Sequence, residues 1–74
     1  MPATSDGVVK LINAGAKVES VDANGRTSAG LIKIGQAIAQ RGGKPRFVNC
    51  QSTSADGLIS VHQALGGNVV FEGV

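Results

Sequence analysis

Apolar residues recur along this chain in two kinds of spacing, separated by stretches rich in hydroxyls and glycine. Leu31, Ile34 and Ile38 fall at i, i+3 and i+7 with Ala37 beside them, and Leu58, Val61 and Leu65 repeat the spacing. Residues so placed share one face of an α-helix. Val8, Val9, Leu11 and Ile12 give a shorter apolar face near the start. Between these segments lie short apolar runs that predict strands: Lys17-Val18-Glu19-Ser20-Val21, Pro45-Arg46-Phe47-Val48 and Val69-Val70-Phe71. The last is continuous, as in a strand covered on both faces. Each run follows a break, Ala14-Gly15-Ala16, Gly42-Gly43 or Gly66-Gly67. Glycine suits a helix C-terminus because it takes the left-handed conformation without a Cβ clash.

One phrase occurs three times, each time at a predicted helix start. Thr4-Ser5-Asp6-Gly7-Val8-Val9 recurs as Thr27-Ser28-Ala29-Gly30-Leu31-Ile32 and again as Thr53-Ser54-Ala55-Asp56-Gly57-Leu58-Ile59. Hydroxyls at such positions accept hydrogen bonds from unpaired backbone N–H groups. Thr53 with Asp56 resembles a capping box in which Asp replaces the usual Glu. Supersecondary repeats have this period, and the unit is helix, turn, strand: residues 4–26, 27–52 and 53–74 of a single domain spanning 1–74. Helices that alternate with strands imply parallel pairing. The expected fold is therefore α/β, a small parallel sheet of about three strands built from three helix–strand repeats.

Seventy-four residues bound what such a fold can do. A chain of this size buries only about 60% of the surface that its unfolded form exposes. A single cysteine excludes an internal disulfide, and one cysteine with one histidine does not make a zinc set, so no metal and no cofactor is expected. Burial against another chain is the remaining supplement, which predicts self-association or a protein partner. The formal charge is +2, with Arg41, Lys44 and Arg46 as the densest basic cluster. Phe47 and Phe71 are the only aromatic residues, whereas single-strand binders pair a basic groove with several stacking rings. Nucleic acid is accordingly disfavoured. No apolar run approaches the ~18 residues of a membrane span, and no signal pattern opens the chain; no membrane partner and a reducing, cytoplasmic setting are expected.

In a parallel sheet, strand C-termini and the following helix N-termini share one edge, where ligands of open α/β sheets bind. That rim carries Asn24, Arg26, Thr27 and Ser28 after the first strand. After the second it carries Asn49, Cys50, Gln51, Ser52, Thr53 and Ser54. Helix N-termini favour phosphate and other anions, and a bound anion would offset the cation Arg26. The hydroxyls read more readily as plain caps, since hydroxyls before helices are caps far more often than ligand groups. No G-x-G-x-x-G or Walker spacing is present. A helix N-terminus would lower the pKa of Cys50, but a phosphatase-type loop needs an arginine at position 56, which is Asp, and His62 lies about two helical turns beyond the cap. Asp6, Glu19, Asp22, Asp56 and Glu72 are dispersed over different elements, so no carboxylate pair suggests itself as a catalytic centre.

The run Gly15-Ala16-Lys17-Val18-Glu19-Ser20-Val21-Asp22 followed by Thr27-Ser28-Ala29-Gly30-Leu31 resembles the STAS domain of anti-anti-sigma factors and related regulators. Gly42-Gly43-Lys44-Pro45-Arg46-Phe47-Val48-Asn49 and the helix ending in Leu65-Gly66 look like that family's later strand and helix. The resemblance implies a docking module without a catalytic centre, switched by phosphorylation at a helix start. Ser28 is the possible phosphoacceptor, with Thr27 standing where the family usually has Asp. The repeated unit also resembles a leucine-rich repeat, without the regular leucine ladder. The expected function is a non-catalytic protein–protein interaction and regulatory module, possible switches being phosphorylation or anion binding at helix N-termini. One alternative is a cysteine-dependent enzyme or phosphoacceptor using Cys50. The other is a structural repeat fragment, leucine-rich-repeat-like, that forms a larger assembly.

Overall fold

The computed structural model describes residues 4–74. Three helices alternate with three strands: α1 (Ser5–Asn13), β1 (Val21–Asp22), α2 (Ser28–Gln40), β2 (Arg46–Val48), α3 (Ala55–Ala64) and β3 (Val70–Phe71). A single 3-10 turn, Cys50–Ser52, lies between β2 and α3. The sheet is parallel throughout, in the order β1-β2-β3, with Val21 opposite Phe47 and Phe47 opposite Phe71. The α/β class and the three-strand parallel sheet are those expected from the helix–strand alternation.

Each helix starts behind a hydroxyl that accepts from the glycine N–H three residues on. Thr4 Oγ1 accepts from Gly7, Thr27 Oγ1 from Gly30 and Ser54 Oγ from Gly57, each at 3.1 Å. The third cap is thus Ser54 and not Thr53. The extra residue Ala55-Asp56 inserts before Gly57 moves the cap along by one, because the capping geometry counts back from the glycine amide. Asp56 lies in the first turn of α3, where its charge suits the helix dipole. The helices end as the glycine breaks predict: Gly15, Gly42 and Gly66 follow the C-caps with φ of +97°, +82° and +62°.

The strands are shorter than their apolar runs. Lys17, Glu19 and Ser20 are exposed and only carry the chain from α1 to the sheet. At the far end of β2, Asn49 turns left-handed (φ +57°) and lifts the chain out of the sheet. Val70 and Phe71 are half-buried. The continuous run at 69–71 therefore does not mark a strand covered on both faces: β3 is an edge strand beneath α3.

Consecutive strands lie side by side, and α2 packs between α1 and α3. Two right-handed crossovers moving in one direction place their helices on one face of the sheet. Helices pack 8–10 Å apart but strands only about 4.8 Å, so such a stack curves with the sheet on the inside. The strands alternate accordingly. Val21, Ala23 and Phe47 are buried under the helices, while Asp22, Arg46 and Glu72 are exposed on the other side. Phe47 and Phe71 stack with ring centroids 6.3 Å apart, continuing the inward row. Among the helices the central one supplies most of the buried residues, Leu31, Ile34, Ala37 and Ile38; α1 adds Val8 and Ile12, and α3 only Val61. A helix with a neighbour on each side buries more than one at an end.

Candidate functional site: the helix-start rim and the ends of the stack

The parallel topology brings the predicted rim together at one edge, where Arg26, Thr27, Cys50 and Ser54 make side-chain hydrogen bonds within the chain. Thr27 and Ser54 are spent as caps. Arg26 donates through Nε to the Asp22 carbonyl at 2.8 Å and through a terminal nitrogen to Ser5 Oγ at 3.2 Å. Its guanidinium is therefore held by internal acceptors. The Asn24 backbone N–H donates to Asp22 Oδ1 at 2.9 Å, closing the turn after β1. Gln51 and Ser52 are exposed. Thr53 is half-buried, and its hydroxyl oxygen is sequestered with no hydrogen-bond partner among the described residues.

Two hydroxyls of the repeated phrase have a packing role that the sequence reading missed. An added Cβ on Gly30 would sit 2.7 Å from Ser5 Oγ, and one on Gly57 would sit 2.6 Å from Ser28 Oγ. Each serine thus presses on the glycine of the following helix, and the glycine is there because a side chain from the previous unit occupies its space. Leu65 likewise fills the space over Gly35. The signal was present in the glycine that stands three residues after a hydroxyl in all three phrases. For Ser28, the expected phosphoacceptor, this means that its hydroxyl lies at the α2–α3 junction; a phosphoryl group there would need that junction to open.

Cys50 is fully buried, and its thiol donates to the Phe47 carbonyl at 3.4 Å. Burial pushes its pKa above the usual thiol value, the Glu72 carboxylate adds to that, and a backbone hydrogen bond opposes both. A nucleophile needs the opposite, an exposed thiol with a lowered pKa. Among the described residues no group of three His, Cys, Asp or Glu side chains could hold a metal ion, and no helix is long and apolar enough to cross a membrane.

Concave surface is found away from the rim, by the C-termini of α1 and α2 and across the open face of the sheet. One cleft of about 390 Å³ is lined by Ile12, Lys17, Val18, Ile38 and Arg41 among others, and a second of about 610 Å³ by Glu19, Lys44, Arg46 and Glu72 among others. The basic cluster noted in the sequence thus falls here and not on the rim. Its members are partly committed: Arg41 donates to the Asn13 carbonyl, and Arg46 pairs with Glu72 at 3.2 Å.

The remaining unusual surface is apolar. Leu11 is 50% exposed and Ile59 is 52% exposed. When the phrases are aligned on their glycines, Leu11 corresponds to Ile34 and Val61, both completely buried, and Ile59 corresponds to half-buried Ile32. Among the described residues, Leu11 belongs to the first unit and Ile59 to the last, so each lies on a helix with a helical neighbour on one side only. Position in the stack, rather than residue type, explains the exposure. Comparison with known proteins found no matching family model, curated protein or solved structure.

Proposed function

We propose that this chain is a non-catalytic protein–protein interaction module made of stacked helix–strand repeats, which docks through the two ends of the stack. The observation that carries the reading is the contrast between Leu11, half exposed, and its counterparts Ile34 and Val61, at 0%. The same position is core wherever a neighbouring unit lies under it. The sheet supports the same reading: β1 and β3 each pair on one side only, and unpaired strand edges are templates for another chain. Enclosure of Cys50 and the internal commitment of Arg26 favour this over thiol chemistry or an anion site at the rim.

Amide hydrogen exchange on the dilute chain tests the reading. Val70 and Glu72 donate their amides to β2, at 2.9 and 2.8 Å, so by alternation the Phe71 amide points to the open edge. That amide should exchange far faster than those of Val70 and Glu72. Equal protection of all three in dilute solution would mean that the edge is already closed, and would overturn the reading.

A further inference from the structure

We propose that copies of this chain stack head to tail, the α3–β3 end of one against the α1–β1 end of the next, with β3 pairing in parallel with β1. The inference rests on the interaction-module reading and names its partner as a second copy. What covers an end is legible from what covers the same faces inside the chain, because one junction is built twice. At both, a residue at the first position of one helix meets the glycine at the third position of the next: Ser5 with Gly30, and Ser28 with Gly57. At both, strands pair in parallel and the inward row advances, from Val21 to Phe47 to Phe71.

Each end of the chain keeps one half of that junction. Ala55 opens α3 where Ser5 and Ser28 open the helices before it, and it is exposed. Gly7 stands in α1 where Gly30 and Gly57 stand in the later helices, followed seven residues on by Ala14, as Gly30 is by Ala37 and Gly57 by Ala64. That spacing keeps each pair of small residues on one helical face. Ile59 on one end and Leu11 on the other are the large apolar groups left uncovered beside these positions. Gly73, left-handed at φ +69°, follows β3 as left-handed Asn49 follows β2, so the third strand ends in the geometry that precedes a further unit in the middle of the chain.

The β1 edge is guarded, since Arg26 Nε holds the outward Asp22 carbonyl. Joining therefore exchanges that hydrogen bond for one from the incoming strand, and the gain comes from covering Ile59 and Leu11. The two contacting surfaces differ, so the interface is heterologous and each added copy leaves a fresh end.

Sedimentation velocity from low micromolar to near-millimolar chain tests this, using the intact protein, Leu11→Asp and Ile59→Asp. Both positions are half exposed, so the variants should keep the far-ultraviolet circular dichroism of the parent. The parent's average mass should climb past two copies as concentration rises. Each variant alone, with one end blocked, should stay monomeric at the top concentration. Their equimolar mixture should give a two-copy species and nothing larger, because each variant supplies the end that the other lacks. A parent that stays monomeric throughout overturns the proposal, even if fast exchange at Phe71 has left the module reading standing. Association that stops at two copies in the parent, or a mixture that stays monomeric while the parent grows, overturns it as well.

Discussion

Replacing Gly57 by alanine puts the stacking of units to a quantitative test. An added Cβ would lie 2.6 Å from Ser28 Oγ, 3.2 Å from Thr53 Cγ2 and 3.3 Å from Ser54 Oγ. The optimum for carbon contacts is about 3.5–4.0 Å, so at least one neighbour must move. Ser54 is the cap, and moving it loosens the bond to Gly57 N–H. Overpacking of this kind costs about 1–3 kcal/mol. Alanine is better than glycine inside a helix by about 1 kcal/mol, which offsets part of that. The net expectation is a loss of up to about 2 kcal/mol, and each kcal/mol is worth roughly 4–8 °C in Tm in a domain of this size.

Propensity alone would predict the opposite sign. Trimming Ser28 to alanine removes the atom in the closest contact, so Gly57→Ala introduced into Ser28→Ala should be neutral or stabilising by up to about 1 kcal/mol. Urea denaturation of the parent, both singles and the double closes the cycle, with an expected coupling of about 1–3 kcal/mol, the overpacking that the serine hydroxyl causes. A coupling within the ~0.5 kcal/mol typical of independent sites would refute the claim that Ser28 occupies the space over Gly57.

Three further outcomes follow from the rim. Ser28→Asp should destabilise the fold by about 1–2 kcal/mol, the crowding at Gly57 outweighing a favourable charge at a helix start, whereas Ser52→Asp at an exposed position should stay within about 0.5 kcal/mol of the parent; similar Tm values for the two would contradict the placement of Ser28. Thr53→Val, which replaces a sequestered hydroxyl by a methyl of similar shape, should stabilise by about 1 kcal/mol, and a clear loss in thermal melts would show that the hydroxyl has a partner. For Cys50 the sign follows from its raised pKa: the thiol stays protonated in the folded chain at pH values where the unfolded chain has begun to ionise. Stability should be unaffected below the usual thiol value of 9.0 and should fall as pH rises above it. The Cys50→Ala variant should lack that component of the decline, and iodoacetamide should label native Cys50 at a rate limited by opening of the fold.

The parts of this architecture that depend on local chemistry were legible in the sequence. Helix periodicity at Leu31, Ile34 and Ile38, hydroxyl caps, and glycines at helix ends each follow from the geometry of a few adjacent residues, and together they imply the parallel three-strand sheet. Strand length was not legible. An apolar run such as Val69-Val70-Phe71 does not reveal how many neighbours will cover it, and Phe71 is only half-buried in a strand that pairs, among the described residues, on one side. The third cap was misplaced because two hydroxyls, Thr53 and Ser54, compete for one role, and the choice is made by the amide of Gly57. Topology gathers the rim residues at one edge, but their engagement within the chain was hidden. The bond from Arg26 to Ser5 joins residues of different units, and so does the pressure of Ser28 on Gly57. Leu11 looked like any other apolar residue of α1, since its exposure depends on which unit it belongs to.

Small-angle X-ray scattering over a concentration series tests the open-ended stack most directly. The described chain is compact, with a Cα radius of gyration of 10.9 Å and extents of 31 × 29 × 17 Å. Head-to-tail stacking predicts particles that lengthen with concentration beyond two copies while their cross-section stays that of one chain. Scattering that keeps the single-chain radius of gyration throughout the series, or that settles at a two-copy particle, would contradict it.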